Sequence, residues 1–182
     1  MAFETEKEVW ESYDAAPRVL TPETIAEIPW SEVSKHPLSK DVAQTIVYMR
    51  DVESFTPGFA KGAMGTPSGK DRYISRFMED RWLPEELTHA DLLDRFLQEA
   101  GLPTDGKYYE NLQNNLPGAY QLRTACRNMV ANALGENFLP IHMAYGAVQE
   151  YSTLAGYQRL SELAGHPVLT HILDRCKPYG LP

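Results

Sequence analysis

The stretch that decides the fold of this chain reads Trp82-Leu83-Pro84-Glu85-Glu86-Leu87-Thr88-His89-Ala90-Asp91-Leu92-Leu93. Its apolar residues recur at three- and four-residue steps, the spacing of one face of an α-helix. Glu86 and His89 share that face and lie one helical turn apart. The pattern predicts a helix from about residue 70 to residue 100, kinked at Pro84, with a carboxylate and an imidazole on its apolar side.

Two other segments repeat this arrangement, each with a carboxylate on its apolar face. One runs from about residue 39 to residue 62 and carries Glu53, and the other runs from about residue 137 to residue 164 and carries Glu150. Residues 102–135 predict one or two shorter helices around Pro117, and strand patterns are weak throughout. The fold class predicted is all-α, a helical bundle.

The domain organisation follows from the prolines. Residues 1–37 contain four of them and predict short helical turns and loops that wrap the core, with Thr21 capping a helix that starts at Pro22. Residues 38–182 form the predicted bundle domain.

Composition excludes several function classes. The net charge of −8 argues against a nucleic-acid partner. No stretch approaches the ~20 apolar residues of a membrane span, and the acidic, polar start does not resemble a secretory signal. We therefore expect a cytoplasmic protein. Cys126 and Cys176 are far apart, so neither a disulfide framework nor a zinc finger is predicted.

The three carboxylates point to metal chemistry if they face one interior. A buried, unpaired carboxylate is costly, and three together repel one another, whereas divalent cations supply compensating charge. A Glu-x-x-His pair with single glutamates from two other helices is the ligand pattern of carboxylate-bridged di-iron bundles. The alternative is that Glu86 and His89 form a solvated pair, or that Glu53 and Glu150 face solvent in a helix phase shifted by one residue.

These three anchors together resemble the acyl-carrier-protein desaturases, a ferritin-like di-iron family. Residues 82–93 resemble its first metal-binding motif, a tryptophan with Glu-Glu-x-x-His and Asp-Leu-Leu. Asp51-Val52-Glu53, with Pro57 four residues on, is similar to the preceding ligand helix of that family. Gln149-Glu150-Tyr151-Ser152-Thr153 is similar to its third ligand helix. The resemblance covers roughly residues 38–176.

The resemblance implies a ferritin-like bundle with two iron ions. Glu53 and His89 would be terminal ligands, Glu86 and Glu150 would bridge the metals or lie beside them, and Thr153 would lie near bound oxygen. The implied activity introduces a cis double bond into a fatty acyl chain, in fatty acid biosynthesis. The implied partners are an acyl carrier protein, a ferredoxin-type electron donor and a second copy of the chain.

The sequence departs from the family pattern after residue 175. Thr170-His171-Ile172-Leu173-Asp174-Arg175 begins the expected fourth ligand helix, but Pro178, Gly180 and Pro182 follow and no second Glu-x-x-His appears. Two of six expected ligands are thus absent, and we expect a bundle that lacks its last core helix. Enzyme activity stays uncertain: the alternatives are a catalytically inactive truncated paralogue and another ferritin-like metal-binding oxidase.

Other residues with chemical potential are predicted to be structural. The remaining histidines are predicted at the surface or at helix ends: His36, His142, His166 and His171. Three methionines are predicted in the core: Met49, Met78 and Met143. The tyrosines, including Tyr151 and Tyr157, are predicted to pack at the bundle surface.

Overall fold

A computed structural model describes residues 5–177, and every regular element in that range is helical, which confirms the all-α bundle. The α-helices are α1 (Glu6–Ala15), α2 (Pro22–Ala26), α3 (Lys40–Ser54), α4 (Thr56–Met64), α5 (Pro67–Lys70), α6 (Arg72–Phe77), α7 (Leu83–Glu99), α8 (Tyr108–Asn114), α9 (Gly118–Leu134), α10 (Phe138–Ala164) and α11 (Pro167–Arg175). Two 3-10 segments, Trp30–Lys35 and Gly135–Asn137, and one π-helical segment, Met78–Trp82, complete the set. None of these helices is long and apolar enough to cross a lipid bilayer.

The predicted first long helix is wrong in one respect, because it consists of two helices. α3 ends at Ser54, Phe55 separates the two, and α4 begins at Thr56. Pro57 explains the break, since it has no N–H to donate and its ring would collide with the carbonyl of Glu53 in a continuous helix. The break leaves Glu53 in the last turn of α3, where α4 turns away.

The kink predicted at Pro84 takes a specific form. Pro84 lies in the first turn of α7, where proline is tolerated, and the distortion is the π-helical segment Met78–Trp82 immediately before it. A π-helical turn rotates the residues that follow relative to those before it, and such turns occur often at functional sites. Here it sets the direction of Trp82, the residue that leads into the Glu86–His89 pair.

The core lies between α3, α7, α11 and the C-terminal half of α10. α3 and α7 pack along one another, and Ile46, Leu93, Phe96 and Leu97 are fully buried there. Leu169 and Ile172 of α11 close the same cluster. Burial of apolar surface contributes about 25 cal/mol per Å², so this cluster supplies most of the stabilisation.

A buried ion pair fixes the register of α3 against α7. Arg50 Nη1 donates to Asp94 Oδ1 at 2.8 Å, and both side chains are about nine-tenths buried. The same guanidinium donates to Asp51 and lies 4.2 Å above the Tyr108 ring. These contacts satisfy the buried charge, because an unpaired arginine would be expensive here.

The opposite side of the molecule is far more open. The N-terminal half of α10 leaves Ile141, Tyr145 and Val148 exposed. Met143 lies in the same half and is also exposed, so the prediction that it is an ordinary core residue is wrong. α9 meets α4 through amide contacts rather than through a large apolar interface. Asn128 Nδ2 donates to the Gly62 carbonyl at 2.9 Å.

The predicted wrapping segment 1–37 is described from residue 5 onward. The helix cap predicted at Thr21 is confirmed, because Thr21 and Thr24 form a reciprocal capping box. Trp10 of α1 stacks on Tyr73 of α6 with ring centroids 5.1 Å apart. Arg81 Nη1 donates to the Tyr13 carbonyl at 2.9 Å. The segment therefore contacts the part of the chain that precedes α7.

Candidate metal centre

Glu53, Glu86 and His89 form a buried cluster where the end of α3 meets the start of α7. Each offers one ligand atom, and these three atoms all lie within 4.8 Å of one another. Glu53 is 3% exposed and Glu86 is 7% exposed. The helical spacing of Glu86 and His89 puts His89 Nδ1 3.6 Å from Glu86 Oε2. The structure thus brings together three of the four predicted metal ligands.

The electrostatics of the cluster favour a cation. Burial, and after it the neighbouring Glu86, raise the pKa of the Glu53 carboxyl to about 9. Burial also raises the pKa of Glu86 to about 7. Burial lowers the pKa of His89, which keeps its imidazole neutral and able to coordinate. Carboxylates that hold protons at neutral pH for lack of counter-charge would release them to a divalent metal.

Glu150, the fourth predicted ligand, borders the cluster from α10. Its Oε1 accepts a hydrogen bond from Trp82 Nε1 at 2.7 Å. Burial raises the pKa of Glu150, and the Trp82 hydrogen bond opposes that rise. Glu150 also lines a small pocket together with Glu86 and His89. One carboxylate oxygen of Glu150 is therefore hydrogen-bonded to Trp82, which leaves the other oxygen to bind a ligand in the pocket.

Thr153, the predicted catalytic residue, lines the same small pocket. It lies one turn after Glu150 on α10 and is partly buried. The pocket wall continues with Leu154 and Tyr157 from the next turn. A hydroxyl beside three potential metal ligands can bind a small polar molecule; the role of Thr153 near bound oxygen stays a prediction.

Tyr157 corrects the prediction that the tyrosines pack at the bundle surface. It is 2% exposed, and its hydroxyl donates a hydrogen bond to Glu53 Oε1. The contact joins α10 to α3 across 104 residues of sequence. No local sequence pattern distinguishes a tyrosine at the bundle surface from one that holds a ligand in the core.

An open cleft of about 320 Å³ adjoins the cluster. Its walls include Leu20 and Phe77 on one side and Cys176 on another, and it reaches Glu86 and Glu150. Most of the wall is apolar, contributed by the N-terminal segment, the π-helical turn and the chain just after α11. The cleft has the size and character for a small apolar molecule or part of a chain.

Three histidines predicted to be structural lie away from the cluster. His166 is buried at the N-terminus of α11, where Nδ1 accepts from the Leu169 backbone N–H, so it is a helix-end residue as predicted. His36 packs against the His166 ring. His142 contacts Ser68, and no local sequence pattern predicts this contact because it joins two distant segments.

The residues present fit a divalent transition metal. Two carboxylates and one neutral imidazole within reach of one ion, with a third carboxylate beside them, match the preferences of iron, manganese or zinc rather than those of calcium. Tyr157 and Trp82 hold two of the carboxylates by hydrogen bonds, the usual role of groups around a metal site. Comparison with known proteins gives no matching family model, no matching curated sequence and no matching solved structure.

Proposed function

We propose that this protein binds iron through Glu53, Glu86 and His89, with Glu150 at the edge of the site. The single observation that supports the proposal is the convergence of three buried ligand atoms within 4.8 Å of one another. Burial of that much unpaired negative charge is unfavourable without a cation. A bound metal would compensate the two carboxylates whose pKa values burial raises.

The activity we propose is the oxygen-dependent introduction of a cis double bond into a fatty acyl chain carried on an acyl carrier protein. The support is the resemblance of residues 82–93 to the desaturase motif, together with the ligand cluster that this motif contributes to. A ferritin-like arrangement of the helices belongs to the same proposal. Iron, when bound, supplies the redox chemistry with dioxygen and with electrons from a ferredoxin-type donor.

The protein's own residues would bind the acyl chain, orient the metal ligands and shield the site from water. The apolar cleft beside Glu86 would hold the acyl chain, with Trp82 forming part of its wall. Tyr157 would hold the Glu53 carboxylate and Trp82 the Glu150 carboxylate, so that both keep their orientation during the reaction. Thr153 would donate or accept a proton at the small pocket between α7 and α10.

A second candidate function is a metal-binding helical scaffold without turnover. It is favoured by the number of ligands: three atoms come within bonding range of one ion, while Glu150 is held by Trp82. A dinuclear centre needs more donors than this, so a single bound metal is the expected state. A ferritin-like oxidase acting on small molecules belongs to the same chemical class as the first proposal.

One experiment separates these functions. The iron-loaded chain is incubated with a fatty acyl chain on acyl carrier protein, reduced ferredoxin and oxygen, and products are analysed by mass spectrometry. We expect slow turnover, well below the ~10 s⁻¹ typical of enzymes. Unsaturated product from the unaltered chain, with none from Glu86→Gln, supports the desaturase proposal. Stoichiometric iron without product in repeated preparations supports the scaffold. Absence of both iron and product rejects the metal-centre proposal.

A further inference from the structure

A second cavity, of about 350 Å³, lies between α4, α9 and α10 and has cationic and aromatic walls. Phe59, Phe138 and Tyr145 supply aromatic rings, and Arg123 and Arg127 supply guanidinium groups. No aspartate or glutamate is among the described residues that line it. The combination is unusual in a chain whose net charge is −8.

The two arginines have no acidic partner in the described part of the chain. Neither Arg123 nor Arg127 forms an ion pair or a hydrogen bond with any residue of 5–177 whose side chain the structure describes, which leaves out residues 6, 109 and 113, although most other arginines there do. The pair is spaced i, i+4 on α9, where like charges repel each other and slightly destabilise the helix. An anion between the two groups would remove that repulsion.

Arg127 is held in place by α4. Its guanidinium carbon lies 5.7 Å from the centre of the Phe59 ring, a cation–π distance. Its Nη2 also approaches the backbone of Gly62, where an added Cβ would come within 2.9 Å. Glycine at this position therefore lets the charged group rest against α4 at the cavity wall, although no carboxylate holds it there.

His142 adds a hydrogen-bond donor of defined direction. The buried Ser68 hydroxyl lies 2.6 Å from His142 Nδ1, its only side-chain partner among the described residues. Donation from the hydroxyl to Nδ1 satisfies both groups, whereas the reverse leaves the hydroxyl hydrogen without an acceptor. Nε2 then carries the proton and is the remaining polar atom of a ring that lines the cavity. Burial, and then the charge of Arg127, lower the pKa of His142, which keeps the ring neutral.

We propose that this cavity binds a small organic anion, with its carboxylate or phosphate group held by Arg123, Arg127 and His142 Nε2. Guanidinium groups match the geometry of both anions, and an N–H donor adds a third contact. The apolar part of the ligand would lie against Phe138, which stacks on the His142 ring at 5.2 Å, and against Tyr145. This site is separate from the iron proposal and uses none of the proposed ligands.

The test is calorimetric titration of the full chain with four probes: octanoate, octyl phosphate, octanol and inorganic phosphate. It is run on metal-free and on iron-loaded protein, so failure to bind iron does not affect the result. The variants are Arg127→Met and Arg123→Met, which keep the apolar stems at exposed positions. The control is Arg159→Met, an exposed arginine at the other end of α10 that pairs with Glu162.

We expect octanoate or octyl phosphate to bind, and octanol to bind at least roughly ten times more weakly, because a charged hydrogen bond is lost. Arg127→Met and Arg123→Met should each weaken binding of the anion by roughly ten-fold. Arg159→Met should leave the affinity for the anion unchanged. The better of the two anions identifies the group, and inorganic phosphate alone should bind weakly. Equal binding of octanol and octanoate, no binding of either anion, or anion binding unchanged in Arg127→Met and Arg123→Met would overturn the proposal.

A spectroscopic measurement checks the role of Ser68 independently of affinity. Nitrogen-15 shifts of the His142 ring should report the proton on Nε2, and octanoate should move the Nε2 signal more than the Nδ1 signal. Ser68→Ala should allow the proton to move to Nδ1 and should weaken octanoate binding. A proton on Nδ1 in the unaltered chain would contradict the geometry on which the site depends.

Discussion

The two halves of α10 are both rich in apolar residues but lie in opposite environments. After Glu150 the helix is packed, with Leu154, Tyr157 and Leu160 buried against α3 and α11. Before Glu150 it is open, and Tyr145 and Val148 are at least half exposed. The candidate metal centre lies at the boundary between these halves. The comparison teaches that the packed half supports the cluster, since Tyr157 holds Glu53 and lines the small pocket with Thr153, whereas no described residue of the open half lines that pocket.

The largest expected difference between the halves is in stability. Phe96→Ala, on α7 in the cluster that contains Tyr157 and Leu160 of the packed half, should lower the free energy of unfolding by about 3–5 kcal/mol, because it leaves a cavity among fully buried side chains. Tyr145→Ala in the open half should change the free energy of unfolding of the monomer, measured below the concentrations at which chains associate, by less than about 0.5 kcal/mol. Denaturant unfolding followed by circular dichroism measures both. Equal losses would mean that the open half is packed in solution.

The second prediction concerns pH and the metal-free centre. Burial raises the pKa of Glu53 from 4.5 to about 9, so between these values the folded chain keeps a proton that the unfolded chain has lost. Stability from this group is therefore fully present below pH 4.5 and declines as the pH rises toward 9. At pH 8, Glu53→Gln should stabilise the metal-free chain by at least about 1.4 kcal/mol, the equivalent of one pKa unit.

The matched control for this pH experiment is Glu162→Gln, an exposed carboxylate paired with Arg159. It should leave the dependence of stability on pH unchanged. Saturating metal should reduce or reverse the decline in the unaltered chain, since the metal binds the ionised carboxylates. A Glu53→Gln variant as pH-sensitive as the unaltered chain would show that Glu53 is solvated.

The third prediction concerns assembly through the open half. Exposed apolar patches beyond a few hundred Å² usually recruit a partner, and we propose that a second copy of the chain covers this one. Sedimentation at micromolar concentration should show a dimer or larger species. Val148→Lys should weaken association roughly ten-fold, the effect of placing an unpaired charge in an interface.

Val52→Lys provides the control, because Val52 is also exposed but lies on α3, outside the open half of α10. It should leave association unchanged. A single monomeric species that unfolds cooperatively would contradict the proposed dimer, and would mean that the exposed residues of α9 and α10 are stable in water.

The smallest expected effect is at the boundary itself. Trp82→Phe keeps most of the ring but removes the hydrogen bond to Glu150, so it should cost about 1 kcal/mol and raise the pKa of Glu150 further. Trp30→Phe is the control, because Trp30 Nε1 is buried without a hydrogen-bond partner among the described residues. If the two substitutions lower the free energy of unfolding equally, the Trp82 hydrogen bond does not contribute to stability.

The sequence predicted the parts of the structure that depend on local patterns. Helical periodicity placed Glu86 and His89 together, because residues three apart always share a helix face. It could not show that Met143 is exposed, since periodicity identifies an apolar face but not whether another element covers it. Nor could it find Tyr157 beside Glu53 or Ser68 beside His142, because these contacts join distant segments. The break between α3 and α4 does have a local signal, because Pro57 disfavours one continuous helix.

The most direct test of the central claim is a cobalt(II) titration of the metal-free chain, followed by its visible absorption. Carboxylate and imidazole ligands should give a saturable spectrum with one cobalt per chain, since three ligand atoms converge on one position. Glu86→Gln and His89→Gln should each weaken binding at least roughly ten-fold, with Glu162→Gln unchanged. No saturable spectrum, or binding unaffected by both substitutions, would contradict the claim that this cluster is a metal site.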